Sequence, residues 1–186
     1  MIKVIASDMD GTLLGDDHKP APETLAAVKK ACDAGIRFMI ATGRNFPGAM
    51  AELKDAELVC DYIVGSGAEV RNPQQEVVVT HPISIELCRA IYEEIRDYPL
   101  SVTFCTDGYD YKIGTPEEIE ESLMLQMQLF FSNQPREELA KSETYRRIKK
   151  STRSMSDMDE LEAAGVPVYK LFLYSEDKAM LDEMNV

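Results

Sequence analysis

Short apolar runs and amphipathic stretches alternate along the first third of the chain. Residues 2–7, IKVIAS, are apolar and rich in β-branched side chains, which predicts a buried strand. Residues 8–20 are polar and punctuated by Gly11, Gly15 and Pro20, and so read as a loop. A helix follows, with Pro22 and Glu23 in its first turn, an apolar stripe of Leu25, Val28 and Cys32, and Gly35 as its stop. Ile36 to Ile40 predicts a second buried strand, Pro47 to Leu53 a second helix, and Tyr62 to Val64 a third strand running into Gly65-Ser66-Gly67. Strand, helix, strand, helix, strand is the rhythm of a parallel α/β sheet with right-handed crossovers.

Beyond residue 68 the rhythm changes. Glu69–Arg71 and Glu76–Thr80 flank Asn72-Pro73 and predict a hairpin. Ile83 to Asp97 predicts a helix with Ile85, Cys88, Ile91, Tyr92 and Ile95 inward. Leu100–Cys105 and Tyr109–Ile113 predict a second hairpin across Thr106-Asp107-Gly108. Pro116 to Phe131 reads as a helix whose Met- and Leu-rich end, LMLQMQLFF, is core. Residues 133–150 are charged and broken by Pro135. A short helix from Asp157 to Ala164, a strand from Val168 to Tyr174 and a helix from Asp177 to Met184 complete the pattern. Hairpins among helices predict a division into residues 1–68, part of an α/β core, and residues 69–186, an incomplete α+β domain.

Composition narrows the chemistry. The 186 residues are 45% hydrophobic, enough for a real core, and carry a formal charge of −13. Such a chain repels nucleic acid and anionic membrane, so neither is expected as a partner. It also repels phosphate esters, so a phosphate substrate would require a local cation, of which a metal ion is the obvious one. None of Cys32, Cys60, Cys88 and Cys105 lies in a C-x-x-C pair, so neither a zinc site nor a thioredoxin motif is suggested. The N-terminus lacks a signal-peptide pattern and no apolar run reaches membrane-spanning length, which predicts a reduced cytoplasmic protein.

The chemistry lies at the predicted strand ends. Asp8 and Asp10 follow the first strand in Asp8-Met9-Asp10-Gly11-Thr12, and a spacing of two places both on one side of an extended segment. In open α/β sheets the ligand crevice lies beyond the carboxyl ends of the strands. Carboxylates are hard ligands suited to Mg²⁺, and a carboxylate can attack phosphorus. Alone, Asp-x-Asp more often marks a solvated loop or a helix cap. The second strand ends in Ala41-Thr42-Gly43-Arg44, where a hydroxyl beside a glycine amide can clamp a phosphate, or simply form a β–α turn. Arg44 suits a substrate contact or a solvated position opening the next helix. His18 and His81 have no metal-spaced partner. Tyr109 and Tyr111 read as packing rather than pocket.

Together, S-D-M-D-G-T-L-L at 7–14 and F-M-I-A-T-G-R at 38–44 resemble the haloacid dehalogenase-like (HAD) hydrolase superfamily, closest to its Cof-type phosphatases with an α/β cap after the third strand. Ser66-Gly67-Ala68 stands where family members often have Asn-Gly-Ala. The resemblance implies a Rossmannoid core whose first three strands are present, with a cap inserted at residue 69. It implies Asp8 as nucleophile and Mg²⁺ ligand, and Asp10 as general acid and then base, with its carbonyl also on Mg²⁺. Thr42 and the Gly43 amide, helped by the Met9 amide, would hold the phosphoryl oxygens, and Arg44 joins them as a substrate-contacting candidate. The implied reaction is hydrolysis of a small phosphorylated metabolite through an aspartyl phosphate.

The family's later lysine and Gly-Asp-x-x-Asn-Asp segment have no match. Asp182-Glu183-Met184-Asn185 lacks the preceding Gly-Asp, and Lys149, Lys150 and Lys170 lack the setting. The expectation is a fragment with weak or absent catalysis and an open edge on the first strand. Two alternatives stand beside the enzyme: a catalytically incomplete phosphate-binding module, and a receiver-type phospho-acceptor, to which residues 69–186 are a poor fit.

Overall fold

The computed structural model describes residues 2–15 and 19–184. The chain divides into two units, Met1–Pro82 and Ile83–Val186.

The first unit is built on a five-stranded sheet. Its elements are β1 (Val4–Ser7), α1 (Pro22–Asp33), β2 (Arg37–Ala41), α2 (Phe46–Leu53), β3 (Asp61–Val64), β4 (Glu69–Arg71) and β5 (Val77–Thr80). The strands lie in the order β1-β2-β3-β4-β5. β1 pairs parallel with β2, and β2 with β3. Proline at the start of α1 costs no helical hydrogen bond, and Gly35 (φ +81°) ends the helix in the left-handed conformation that a side chain resists. Met9, Phe38, Ile40, Leu53, Tyr62 and Val64 are central in the core.

Two expectations are corrected here. The boundary falls after Pro82 rather than after residue 68, because β4 pairs antiparallel with β3 and β5 with β4. The hairpin's free backbone groups find partners on the sheet already formed, which makes it an extension of the first unit. β1, read as a buried strand, is an edge: Val4 and Ile5 are 48% and 36% exposed. Its apolar composition suits a strand covered on both sides, whereas among the described residues it is paired only by β2.

The second unit contains α3 (Ile85–Ile95), β6 (Ser101–Thr106), β7 (Asp110–Ile113), α4 (Pro116–Phe130), α5 (Arg136–Lys141), α6 (Glu143–Ser151), β8 (Thr152–Met155), α7 (Met158–Ala164), β9 (Val168–Tyr174) and α8 (Lys178–Met184). The sheet order is β8-β7-β6-β9, antiparallel except for β7 with β8. A capping box starts α4: the Glu118 amide donates to Thr115 Oγ1 at 3.2 Å, and the Thr115 amide to Glu118 Oε2 at 2.8 Å. Residues 133–150, read as charged and broken, form α5 and α6. Their few apolar side chains, Leu139 and Tyr145, close a cluster with Ile119, Leu123, Met124 and Met127 of α4. The methionine-rich stretch is therefore core, although Leu129 and Phe130 are exposed. β8 lies in a stretch assigned no element from sequence, and it is held by its parallel register on β7.

A second cluster joins Cys88, Phe104, Met155, Met158, Leu161 and Val168. Tyr111 packs against it, while Tyr109 lies exposed beneath the Arg153 guanidinium at 3.7 Å. Phe104 is fully buried, so Phe104→Ala should destabilise the protein by about 3–5 kcal/mol in urea unfolding. A cost below about 1 kcal/mol would contradict this packing.

Candidate active site

β1 delivers Asp8 and Asp10 to its carboxyl end, and the turn after it is pinned by the core. Met9 is fully buried, and the alternation leaves Asp8 and Asp10 exposed on either side of it. Leu13 and Leu14, also buried, fold the chain back. The Leu13 amide donates to the Asp8 carbonyl at 3.2 Å, and the Leu14 amide to the Met9 carbonyl at 2.8 Å. Gly11 turns the corner at φ +72°. The Met9 amide, assigned from the resemblance to a phosphoryl oxygen, donates to Asp8 Oδ1 at 2.7 Å. Residues 16–18, including His18, lie outside the described residues.

β2 delivers the second part. The buried Thr42 is fixed by its amide on the Ile63 carbonyl at 2.9 Å, and its Oγ1 accepts from the Arg44 amide at 3.2 Å. That bond uses the hydroxyl as acceptor, so its proton can still be donated to a ligand. Asn45 caps α2, accepting from the Gly48 amide at 2.9 Å. A Cβ at Gly48 would come within 2.8 Å of Asn45 Oδ1, so this close approach needs glycine.

The end of β3 locks onto the same place. The Gly65 amide donates to the Arg44 carbonyl at 2.7 Å, and the Ser66 amide to the Thr42 carbonyl at 3.1 Å. The ends of β2 and β3 are thus tied to one another by main-chain bonds.

Arg44, 22% exposed at its side chain, is engaged by carboxylates on both sides. Nε and Nη2 donate to Asp10 Oδ2 and Oδ1 at 2.9 and 2.7 Å, and Nη1 donates to Glu52 Oε1 at 2.7 Å. The hydrogen bond to Asp10 raises the guanidinium pKa above its ordinary value, against burial, which lowers it. Sequence reasoning missed Glu52. Its signal was a lone carboxylate within the otherwise uncharged α2, FPGAMAEL. His81 is exposed, with its amide on the Ala68 carbonyl.

Among the described residues, no set of three or more His, Cys, Asp or Glu side chains converges as a metal cage. Mg²⁺ commonly takes only one or two carboxylates and fills its shell with water and substrate oxygens, so the donor chemistry of Asp8 and Asp10 fits it. Among the described residues, no Lys or Arg lies within ion-pair distance of Asp8. No described helix is long and apolar enough to cross a membrane.

Comparison with known proteins adds the following. The family profile of haloacid dehalogenase-like hydrolases matches residues 5–185. An HMP-PP phosphatase of Serratia proteamaculans is 28% identical over 120 residues, covering 64% of this chain and 44% of its own. One of Klebsiella pneumoniae is 30% identical over 108 residues, covering 58% and 40%. The solved structure of a haloacid dehalogenase-like hydrolase from B. subtilis superposes with a TM-score of 0.77 at 19% identity, over 98% of this chain and 65% of that one. The chain therefore spans less than half the length of these two phosphatases.

Ser66 adopts φ +60°, ψ 31°, a left-handed conformation unfavourable for a serine and well tolerated by asparagine. Ser66→Asn is expected to raise stability by about 1 kcal/mol. Equal or lower stability in urea unfolding would show that the serine is held there by something more than the turn.

Proposed function

The chain belongs to the haloacid dehalogenase-like hydrolase family, and on that premise we propose that it carries the nucleophile of an Mg²⁺-dependent phosphatase acting on a small phosphorylated metabolite. The observation that supports this reading is that Asp8 and Asp10 follow β1 and Thr42-Gly43 follows its parallel neighbour β2, with the Arg44 guanidinium joining the two turns at Asp10.

In the proposed reaction an oxygen of Asp8 bonds to phosphorus while the bond to the ester oxygen breaks. Asp10 gives its proton to the departing alkoxide. It then takes a proton from water, which attacks the aspartyl phosphate and releases inorganic phosphate and the free Asp8 carboxylate. The Thr42 hydroxyl and the Gly43 amide hold phosphoryl oxygens, and positioning of this kind is most of what phosphoryl transfer asks of a protein. The Asp8 carboxylate and the Asp10 carbonyl would hold Mg²⁺, whose chemistry there is to neutralise charge on the phosphoryl oxygens. Met9 joins the phosphate site once its amide turns from Asp8 to the substrate.

Arg44 sharpens the role of Asp10. A guanidinium on both carboxylate oxygens favours the ionised form, whereas the acid step needs the protonated one. Transfer of Arg44 from Asp10 to a phosphoryl oxygen would serve both needs, binding substrate and freeing Asp10 to hold a proton. Arg44→Gln should then raise KM for a phosphate ester and lower kcat/KM by about tenfold in steady-state assays. An unchanged KM would argue against this transfer.

The second reading is a phosphate-binding module that is catalytically incomplete. It is favoured by the absence, among the described residues, of a cation beside Asp8, where charge would build on nucleophile and phosphate. Turnover of a generic phosphate ester and of HMP-PP with Mg²⁺ separates the two. The enzyme reading expects activity that Asp8→Asn abolishes and that Asp10→Asn lowers about a hundredfold or more. Phosphate binding with no turnover in any variant supports the module. A beryllium fluoride adduct on Asp8 that persists without any ester hydrolysis would point to a phospho-acceptor instead.

A further inference from the structure

The described residues include three buried charged side chains, and two of them are matched by an opposite charge. Asp61 is 5% exposed and accepts from Arg37 Nε and Nη2 at 2.5 and 2.6 Å. Glu69 is 2% exposed and accepts from Arg71 Nε at 2.6 Å. The third, Lys112 on β7, is also 2% exposed, yet no described carboxylate lies within ion-pair distance. Its ammonium donates to Ser101 Oγ at 2.7 Å and to the Tyr174 hydroxyl at 2.9 Å and lies 4.7 Å from the centre of the Tyr174 ring, and among the described residues its third proton has no oxygen acceptor.

The hydroxyls around it form a ring. Ser101 Oγ lies 2.5 Å from Ser122 Oγ, Ser122 Oγ lies 2.8 Å from the Tyr174 hydroxyl, and that hydroxyl donates to the Ser122 carbonyl at 2.9 Å. One more polar atom of β6, the buried Thr103 Oγ1, has no hydrogen-bond partner among the described residues. Asp110, two residues along β7, acts on Lys112 only from beyond ion-pair distance, and burying an ammonium with no carboxylate in contact is costly, so a core that needed only to be filled would not place one here.

Lys112, Ser101 and Ser122 line a cleft of about 590 Å³ in the second unit. Lys112 is the buried charge of that cleft. Its other charged residues, Arg96, Glu118, Glu121, Arg136 and Glu176, are all exposed. Arg136 and Glu121 neutralise one another, as Arg96 does with Glu93, and Glu118 is held by the Thr115 amide. These pairings leave Glu118 and Glu176 as the rim's remaining charges, both at the exposed edge, while the buried base is positive, with hydroxyls that can turn a proton toward a guest oxygen.

We propose that this cleft binds a small molecule by an oxyanion head, a carboxylate or a phosphate, seated on Lys112 with Ser101 and Ser122. The site is independent of the phosphatase chemistry proposed for the first unit. A guest oxyanion supplies the missing counter-charge and the acceptor for the ammonium's third proton. Burial pulls the Lys112 pKa down to about 8, so at pH 7 the group is mostly charged and gains from such a partner.

The test is site-resolved NMR titration of the 186-residue chain at pH 7 with acetate and, separately, inorganic phosphate. Amide shifts should move at Ser101, Lys112 and Ser122. Phosphate moving residues 8–10 and 42–44 reports the first unit and is distinguished by its location. Response to acetate alone identifies a carboxylate head, response to phosphate alone a phosphate head, and response to both a general oxyanion site. Lys112→Met should weaken the second-unit response at least tenfold. Ser122→Ala, which leaves the lysine in place, should weaken it severalfold and keeps the test open if the methionine variant fails to fold. No response at these three amides to either anion, or one unchanged in the variants, overturns the proposal.

Discussion

The guanidinium of Arg44 is the point on which the first unit's functional end depends. It takes both oxygens of Asp10 from the turn after β1 and one oxygen of Glu52 from α2, and its own main chain accepts from the Gly65 amide after β3. One side chain therefore sets the relation between the turn, the helix and two strand ends. A planar fork with five donors can do this, whereas a lysine could offer only a point charge without the bidentate geometry. The pairing is partly exposed on the Asp10 side and mostly buried on the Glu52 side, so the Glu52 contact is the stronger anchor and the Asp10 contact the more exchangeable one.

How far the fold could be read from the sequence follows from how local each signal was. α1 and α4 were legible because their starts and stops are written in adjacent residues: Pro22 and Gly35 for one, Thr115-Pro116 with Glu118 for the other. The placement of β4 and β5 was not legible, since a hairpin's sequence specifies its own turn and not the sheet whose edge it joins. α5 and α6 were hidden for a related reason. Their apolar content is little more than Leu139 and Tyr145, and only packing on α4 shows that this suffices. β1 was identified as a strand from its composition, but burial depends on neighbours that composition does not contain.

The candidate site divides in the same way. Asp8, Asp10, Thr42 and Gly43 could be named from motifs because each lies at the end of a strand whose position the β–α rhythm predicts. The partners of Arg44 could not, because one is 34 residues away and the other is a helical carboxylate with no motif around it. Lys112 was equally hidden. On an alternating strand a lysine at an inward position looks like an outward one until Ser101, Ser122 and Tyr174, from three other elements, are seen to surround it.

Charge gives the two sites a common logic. The whole chain carries −13, and the carboxyl end of the first sheet does nothing to offset it locally: Asp8, Asp10 and Glu52 against Arg44 leave a surplus of two negative charges when all are ionised. A phosphate ester approaching that end meets like charge at distances well inside the screening length, about 8 Å at physiological ionic strength. Shifting Arg44 from carboxylate to phosphate moves positive charge without adding any. The surplus has to be cancelled from outside the set of four, and the proposed divalent cation would do so. At Lys112 the sign is reversed: the cation is buried, its nearby carboxylate Asp110 stands beyond ion-pair distance, and the proposed guest would bring the anion into contact.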